Sequence, residues 1–324
     1  MNLIDCIANS RAWSGGRVTD TALTSAELRA DLGKHELVWV DLLQPDRAAL
    51  LELVDLLELA PTVVDDVLSP HERPKVTRHG ESLFFTAYAT VLDQGQLRTL
   101  RISAIQYRTA LITLRLDDDF DIDSVLQRWE ENSTLLEQGV GALTHGLLDF
   151  VVDSHFDTIQ TLDDCLEEME DELFLERRTH GAFAREAFDF RKTLVSLRRV
   201  VLPMREVVNA LVRHRDDSGD LAHWYEDLYD HVLRASEWTE SLRDLITSMF
   251  ETNLALQDSR LNMVMKKLAA WAAIIAVPTA ITGWYGQNLP YPGFAHYSGL
   301  WASIALIVSC SVGLYVVFRR RDWL

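Results

Sequence analysis

Cysteine is scarce. The three cysteines in 324 residues, Cys6, Cys165 and Cys310, are widely spaced and form no CxxC pair, which excludes a disulfide framework and a structural zinc site. Reduced thiols in a cytoplasmic setting fit this usage. Basic residues are also in deficit, with 31 Lys and Arg against 49 Asp and Glu. A nucleic-acid binder needs a basic face, so that class is excluded. No GxGxxG, Walker A or GxSxG sequence occurs, and no constellation points to an enzyme. The first residues lack a basic stretch followed by an apolar one, so no signal peptide is expected.

Two further absences organise the chain. Leu268–Trp284 and Leu300–Phe318 contain no charged residue over 17 and 19 residues. Each is long enough to cross a bilayer, the first covering about 26 Å as a helix. Gly and Pro are missing between Gly219 and Pro278. The 58 residues Asp220–Val277 can therefore form one helix of about 87 Å that enters the first span unbroken. Lys and Arg are missing from Tyr285–Gly299, whereas Lys266 and Lys267 precede the first span and Arg319–Arg321 follow the second. The positive-inside rule then puts both termini in the cytoplasm and the connection outside. From Arg260 onward six basic residues meet one acid, which leaves 48 acids and 25 bases in residues 1–259. An acidic body attached to a membrane suits the handling of cations.

Residues 1–140 read as α/β. Val38–Leu43, Ser82–Leu92 and Leu97–Leu116 have strand composition, with polar turns at Asp93–Gln96 and Asp117–Asp119. Ala48–Leu59 and Pro61–Leu68 read as short helices. From Gly141 the period becomes helical: Val152, Phe156, Ile159, Leu162, Leu166, Met169 and Leu173 form one stripe. Asp153–Glu176 holds ten acids and no Lys or Arg, and Arg185–Arg205 is basic. This predicts an antiparallel hairpin over 141–218 that turns at Gly181. The acidic helix is either a solvated face or a collector of metal ions.

The whole reads as an α+β membrane protein. Its parts are an α/β domain at 1–140, the hairpin at 141–218, and a stalk helix at 220–284 that runs into the first transmembrane segment. An external loop at 285–299, a second span at 300–318 and a basic tail at 319–324 complete it. On the long helix, Asn262, Met265, Leu268, Ala272, Ala276 and Thr279 share one face. That face could line a pore narrowed at Met265 and Leu268. The same small residues equally suit close helix packing in lipid. Two spans cannot enclose an ion path alone, so a conduit would need a closed homo-oligomer.

The order of Asn262-Met-Val-Met-Lys-Lys-Leu268, Pro278-Thr, Tyr285-Gly-Gln-Asn288, a second span and a terminal Arg-Arg-Arg-Asp-Trp-Leu324 resembles the CorA-type divalent-cation transporters. His71-Glu-Arg-Pro-Lys75 and Leu202-Pro-Met-Arg-Glu206 also match family stretches. The resemblance covers nearly the whole chain. It implies a funnel-shaped homopentamer in the cell inner membrane that moves Mg²⁺, with Co²⁺ or Ni²⁺ as further ions. Asn288, with Gly286 and Gln287, would form the outer ring that receives the hydrated ion. Thr279, Leu268, Met265 and Asn262 would line the path inward. Regulatory Mg²⁺ would bind between subunits at Asp66, with Asp65 beside it, and Asp227, and Glu251 falls at a further stalk carboxylate. A ring of neutral amides suits Mg²⁺, which dehydrates reluctantly, because it can accept hydrogen bonds from the retained waters. Five carboxylates would hold the ion too tightly for release.

This chain departs from the family pattern in two places. Gln287 replaces the family's Met, and the loop Leu289–Ser298 lacks acids. Both features leave room for a Zn²⁺ transporter of the ZntB type. A membrane-tethered cation sensor that conducts nothing is the reading from another class.

Overall fold

In the computed structural model, residues 3–20, 37–70, 72–174, 180–213, 221–287, 290, 293–294 and 296–324 are described. The chain divides into two compact units, Met1–Thr247 and Ser248–Leu324. The first contains a seven-stranded sheet: β1 (Ile7–Ser14), β2 (Arg17–Asp20), β3 (Leu37–Leu43), β4 (Lys75–His79), β5 (Ser82–Asp93), β6 (Gln96–Tyr107) and β7 (Ala110–Arg115). Their spatial order is β2-β1-β3-β7-β6-β5-β4. Only the central β3/β7 pair is parallel, and the other neighbours are antiparallel.

Both faces of the sheet are covered, and the alternation of side chains shows how. In β3, Leu37 and Trp39 point to one core, while Val38, Val40 and Leu42 point to the other. Phe85 and Phe84 divide in the same way on β5. The second core packs against α1 (Arg47–Leu57) and α2 (Thr62–Leu68), with Leu50, Leu53, Val63 and Val67 buried. Asp46 caps α1 by accepting a 2.9 Å bond from the Ala49 amide.

The first core lies under α3 (Ile122–Glu131), α4 (Ser133–Leu136), α5 (Val140–Phe174), α6 (His180–Arg213) and the start of α7 (Leu221–Tyr285). At its centre Trp129 meets Trp39 edge-on at 5.2 Å and donates to the Leu143 carbonyl at 3.1 Å. Gly146 allows this approach, because a Cβ there would fall 2.6 Å from Trp129 Nε1. The stripe predicted on the acidic helix faces inward on α5: Val152, Ile159, Leu162, Leu166, Met169 and Leu173 are buried.

Two readings of the sequence need correction. Leu97–Leu116 is two strands, split by a tight turn at Arg108–Thr109 in which Arg108 takes φ 47°. No Gly, Asn or Pro marks that turn, and the Arg108–Glu81 ion pair at 3.0 Å ties it to the neighbouring turn between β4 and β5. Gly181 is not the hairpin turn, since it already lies in the first turn of α6. The link over 175–179 lies outside the described residues.

Helix α7 runs for 65 residues, through Pro278, and the division between the two units falls inside it. Pro278 has no N–H to give the Ile274 carbonyl. Thr279 and Thr282 bond back to the carbonyls of Ile275 and Pro278, at 3.1 and 2.9 Å. The helix α8 (Tyr297–Arg320) follows. Both α7 and α8 contain a stretch long and apolar enough to cross a membrane, and only 6% and 0% of these stretches is buried. A core helix of a soluble protein would be shielded, whereas these expose Leu268, Ile275, Trp284 and Trp301.

Candidate ion pathway and metal sites

In the second unit α7 has two distinct sides. Ala270, Ala273, Ile274, Val277 and Ile281 are wholly or partly shielded and follow a helical period. On α8 the matching stripe is Ser303, Ile307, Cys310, Leu314 and Phe318. The predicted pore face avoids the shielded side entirely. Asn262, Met265, Leu268, Ala272, Ala276 and Thr279 are all exposed in the single chain. The face starts with an amide, passes through Met265 and Leu268, each 61% exposed, and ends with a hydroxyl. Such a surface must meet lipid or further copies of the chain.

At the C-terminal end of α7, Gly286 donates to Thr282 O at 2.8 Å and Gln287 to Trp284 O at 3.3 Å. Helical bonding thus reaches the first two residues of the Gly-Gln-Asn tripeptide. Asn288 itself lies outside the described residues. The loop closes onto α8 through two glycines. Gly293 takes φ 90°, and a Cβ on Gly299 would come 2.5 Å from the Gly293 carbonyl.

The predicted regulatory carboxylates are dispersed. Asp66, on α2, receives Lys75 Nζ at 2.7 Å, and the same ammonium reaches Glu72 at 3.1 Å. Burial works against the Lys75 charge, but its bonds to Asp66 and Glu72 outweigh that and raise its pKa. Arg101 fixes the end of α2 from behind, donating to the carbonyls of Ser69 and Asp66 at 2.6 and 2.7 Å. Asp65 pairs with Arg47 at 3.1 Å on the surface. Asp227, on α7, lies 3.8 Å from His231 Nε2. Glu251 is exposed. Among the described residues no group of three or more His, Cys, Asp or Glu could hold a metal ion.

Sequence reasoning missed a polar site inside the sheet. Asp41 and Arg115, 0% and 3% exposed at their side chains, face each other across β3 and β7 at 2.7 Å. Thr113 donates to Asp41 at 2.7 Å and accepts from Trp39 Nε1 at 3.1 Å. A lone Asp in Val-Trp-Val-Asp-Leu-Leu and a lone Arg closing Leu-Ile-Thr-Leu-Arg were the available signal.

The CorA-like Mg²⁺ transporter protein family matches residues 34–320. The chain belongs to that family. Over 293 residues it is 26% identical to the cobalt/magnesium transport protein CorA of Thermotoga maritima, covering 88% of this chain and 83% of that protein. Over 310 residues it is 28% identical to the zinc transport protein ZntB of Yersinia enterocolitica, covering 88% and 86%. The fold of this CorA-like chain matches the complete structure of the CorA magnesium transporter from Methanocaldococcus jannaschii. The TM-score is 0.74 and the identity 23%, over 98% of each chain. The α/β body, the long helix and the apolar C-terminal helices are thus those of the family.

Proposed function

We propose that this CorA-like chain carries divalent metal cations across the cell inner membrane, Mg²⁺ first and Co²⁺ or Ni²⁺ also. It works as a homopentamer with both termini in the cytoplasm. Residues 1–140 and the hairpin 141–218 form the cytoplasmic part, and 220–284 forms the stalk and the pore-lining span. The loop 285–299 lies outside, the span 300–318 surrounds the pore, and 319–324 returns to the cytoplasm. One observation supports this reading: the face from Asn262 to Thr279 is exposed in the single chain along an unbroken helix. Five such faces around an axis give a path with a Met265–Leu268 constriction that can close by dewetting. Asn288, next to Gly286 and Gln287, receives the hydrated ion at the outer mouth, where its amide can bond the retained waters.

Regulation follows from the carboxylates. Mg²⁺ between Asp66 and Asp227 of neighbouring copies, with Asp65 and Glu251 adding charge nearby, offsets repulsion and favours the closed ring. Lys75 competes for the same Asp66 oxygen. Replacing Lys75 by Gln is therefore expected to lower the internal Mg²⁺ concentration that halves flux, by about two- to five-fold, the weight of a part-exposed ion pair. An unchanged or raised half-closing concentration would remove Asp66 from the regulatory site.

The deciding experiment is flux into proteoliposomes across a panel of divalent cations, with Asn288→Ala as the variant. Mg²⁺ flux that disappears in the variant is the expected result. Zn²⁺ movement that millimolar Mg²⁺ neither competes with nor closes would replace this reading with the zinc one. That second reading has a specific basis in Gln287 and the acid-free loop Leu289–Ser298. Absence of flux for every cation would leave a membrane-tethered sensor.

A further inference from the structure

Arg73-Pro74 and Leu202–Glu206 lie far apart in sequence, and the proposed ion path and its regulatory carboxylates use neither. The fold brings them to one place. A cleft of about 950 Å³ in the first unit is lined by Arg73 and Pro74 from one stretch and by Leu202, Pro203, Arg205 and Glu206 from the other. Asn209, Ala210 and Arg213 extend it along α6, and Ser236 on α7 closes the far side.

Its charge runs against its surroundings. Residues 1–259 hold 48 acids and 25 bases. Elsewhere in the unit Arg47, Arg98, Arg108 and Arg128 are paired with carboxylates. Around the cleft, Arg73, Arg205 and Arg213 have no carboxylate partner among the described residues. Arg205 Nε bonds only the Tyr229 hydroxyl, at 3.3 Å, and Arg213 Nε bonds Asn209 Oδ1 at 3.1 Å. The terminal guanidinium nitrogens remain available. Glu206 is the single acid in the lining.

We propose that this cleft binds a nucleoside triphosphate. Three guanidinium groups without a carboxylate partner among the described residues suit a polyphosphate, because Arg pairs with phosphate oxygens through two parallel N–H donors. The volume lies in the range of small-ligand sites. Phosphate alone would leave the floor unused: Pro74 is buried, and Leu202, Pro203 and Ala210 are partly so. A flat base can cover those apolar groups. Glu206, the Asn209 amide and the Ser236 hydroxyl then remain for ribose hydroxyls and ring nitrogens. The assignment stands independently of which ion the chain carries.

The test is equilibrium binding of ATP, without divalent metal, to the full-length protein in nanodiscs. Saturable binding is expected, and Arg73→Gln and Arg205→Gln should each weaken it about ten-fold, the weight of one charged hydrogen-bonded contact. Arg73 and Arg205 are exposed, so both variants keep the core intact. Arg98→Gln, which removes the ion pair with Asp119 and does not line the cleft, should bind ATP like the parent. Inorganic triphosphate should bind more weakly than ATP. No binding at millimolar ATP, or equal binding by both cleft variants, overturns the proposal. Triphosphate binding as tightly as ATP overturns the nucleotide assignment. If ATP does not bind and Arg205→Gln lowers the oligomeric state by light scattering, the cleft is a contact between copies.

Discussion

Replacing Arg115 by Met is expected to destabilise the sheet-bearing unit by about 3–5 kcal/mol, and replacing Asp41 by Leu in the same chain should restore most of that loss. The asymmetry follows from burial. Arg115 reaches Asp41 through Nη2 at 2.7 Å and Nε at 3.1 Å, while its Nη1 binds Asp118 at 2.7 Å. Burial opposes the guanidinium charge, and the bonds to Asp41 and Asp118 outweigh it, so the pKa of Arg115 is raised. Removing Arg115 alone strands a carboxylate with 0% exposure and one remaining donor, Thr113. Removing both ions strands nothing of comparable cost. Thr113 can turn its hydroxyl to Val40 O, now 3.5 Å away, while it still accepts from Trp39. Asp118, 77% exposed, is returned to water. Hydrogen exchange of the β3 and β7 amides in the full-length protein measures the effect. A double variant as unstable as Arg115→Met would mean that the pair contributes net stability through its own contact, and the desolvation argument would fail.

The pair also marks the limit of what the sequence made legible. The two spans and the rod could be read because their signals are local. No charge interrupts Leu268–Trp284, and no Gly or Pro interrupts Asp220–Val277. The α5 stripe was local as well, with one period and one face. By contrast β1, Ile-Ala-Asn-Ser-Arg-Ala-Trp-Ser, went unread. Its apolar residues do not alternate, yet its Ala12 and Trp13 are buried, one in each core. Helix α3 does carry a helical pattern, with Ile122, Val125, Leu126 and Trp129 buried at spacings of three, one and three, but it is short, and α4 is a single turn of four residues. The turn at Arg108 lacked turn residues because tertiary pairing sets it. The carboxylates Asp66 and Asp227 could be named by family resemblance, but their present partners, Lys75 and His231, could not. The arginine cleft required the fold, because its two walls are separated by more than a hundred residues.

Lowering the pH from 6.5 to 4 is expected to cost the first unit about 3 kcal/mol through His155 alone. His155, on α5, is 1% exposed, and its Nε2 lies 2.8 Å from the Tyr88 carbonyl on β5. A carbonyl can only accept, so Nε2 carries the hydrogen and the neutral ring satisfies the bond. Desolvation lowers the pKa of His155 to about 4, and the bond to Tyr88 only partly opposes it. The folded value lies below the unfolded one. The unfolded chain therefore binds a proton between pH 6.5 and 4 that the folded chain refuses. The contribution is complete above pH 6.5, declines as the pH falls, and is gone below about 4. Around the same strand Thr90 bonds Ser154 and Thr158, so hydroxyl groups line the seam between β5 and α5 beside the ring. Further along α5, Asp149 has a raised pKa from burial and from Asp153 beside it, and it drives stability in the opposite sense over the acidic range. His155→Gln separates the two, because Gln keeps a donor for Tyr88 and does not titrate. Exchange protection of the β5 amides, measured from pH 7 to 4, should fall more steeply in the parent than in His155→Gln. Parallel profiles would show that His155 titrates alike in the folded and unfolded chains, and the argument from its burial would fail.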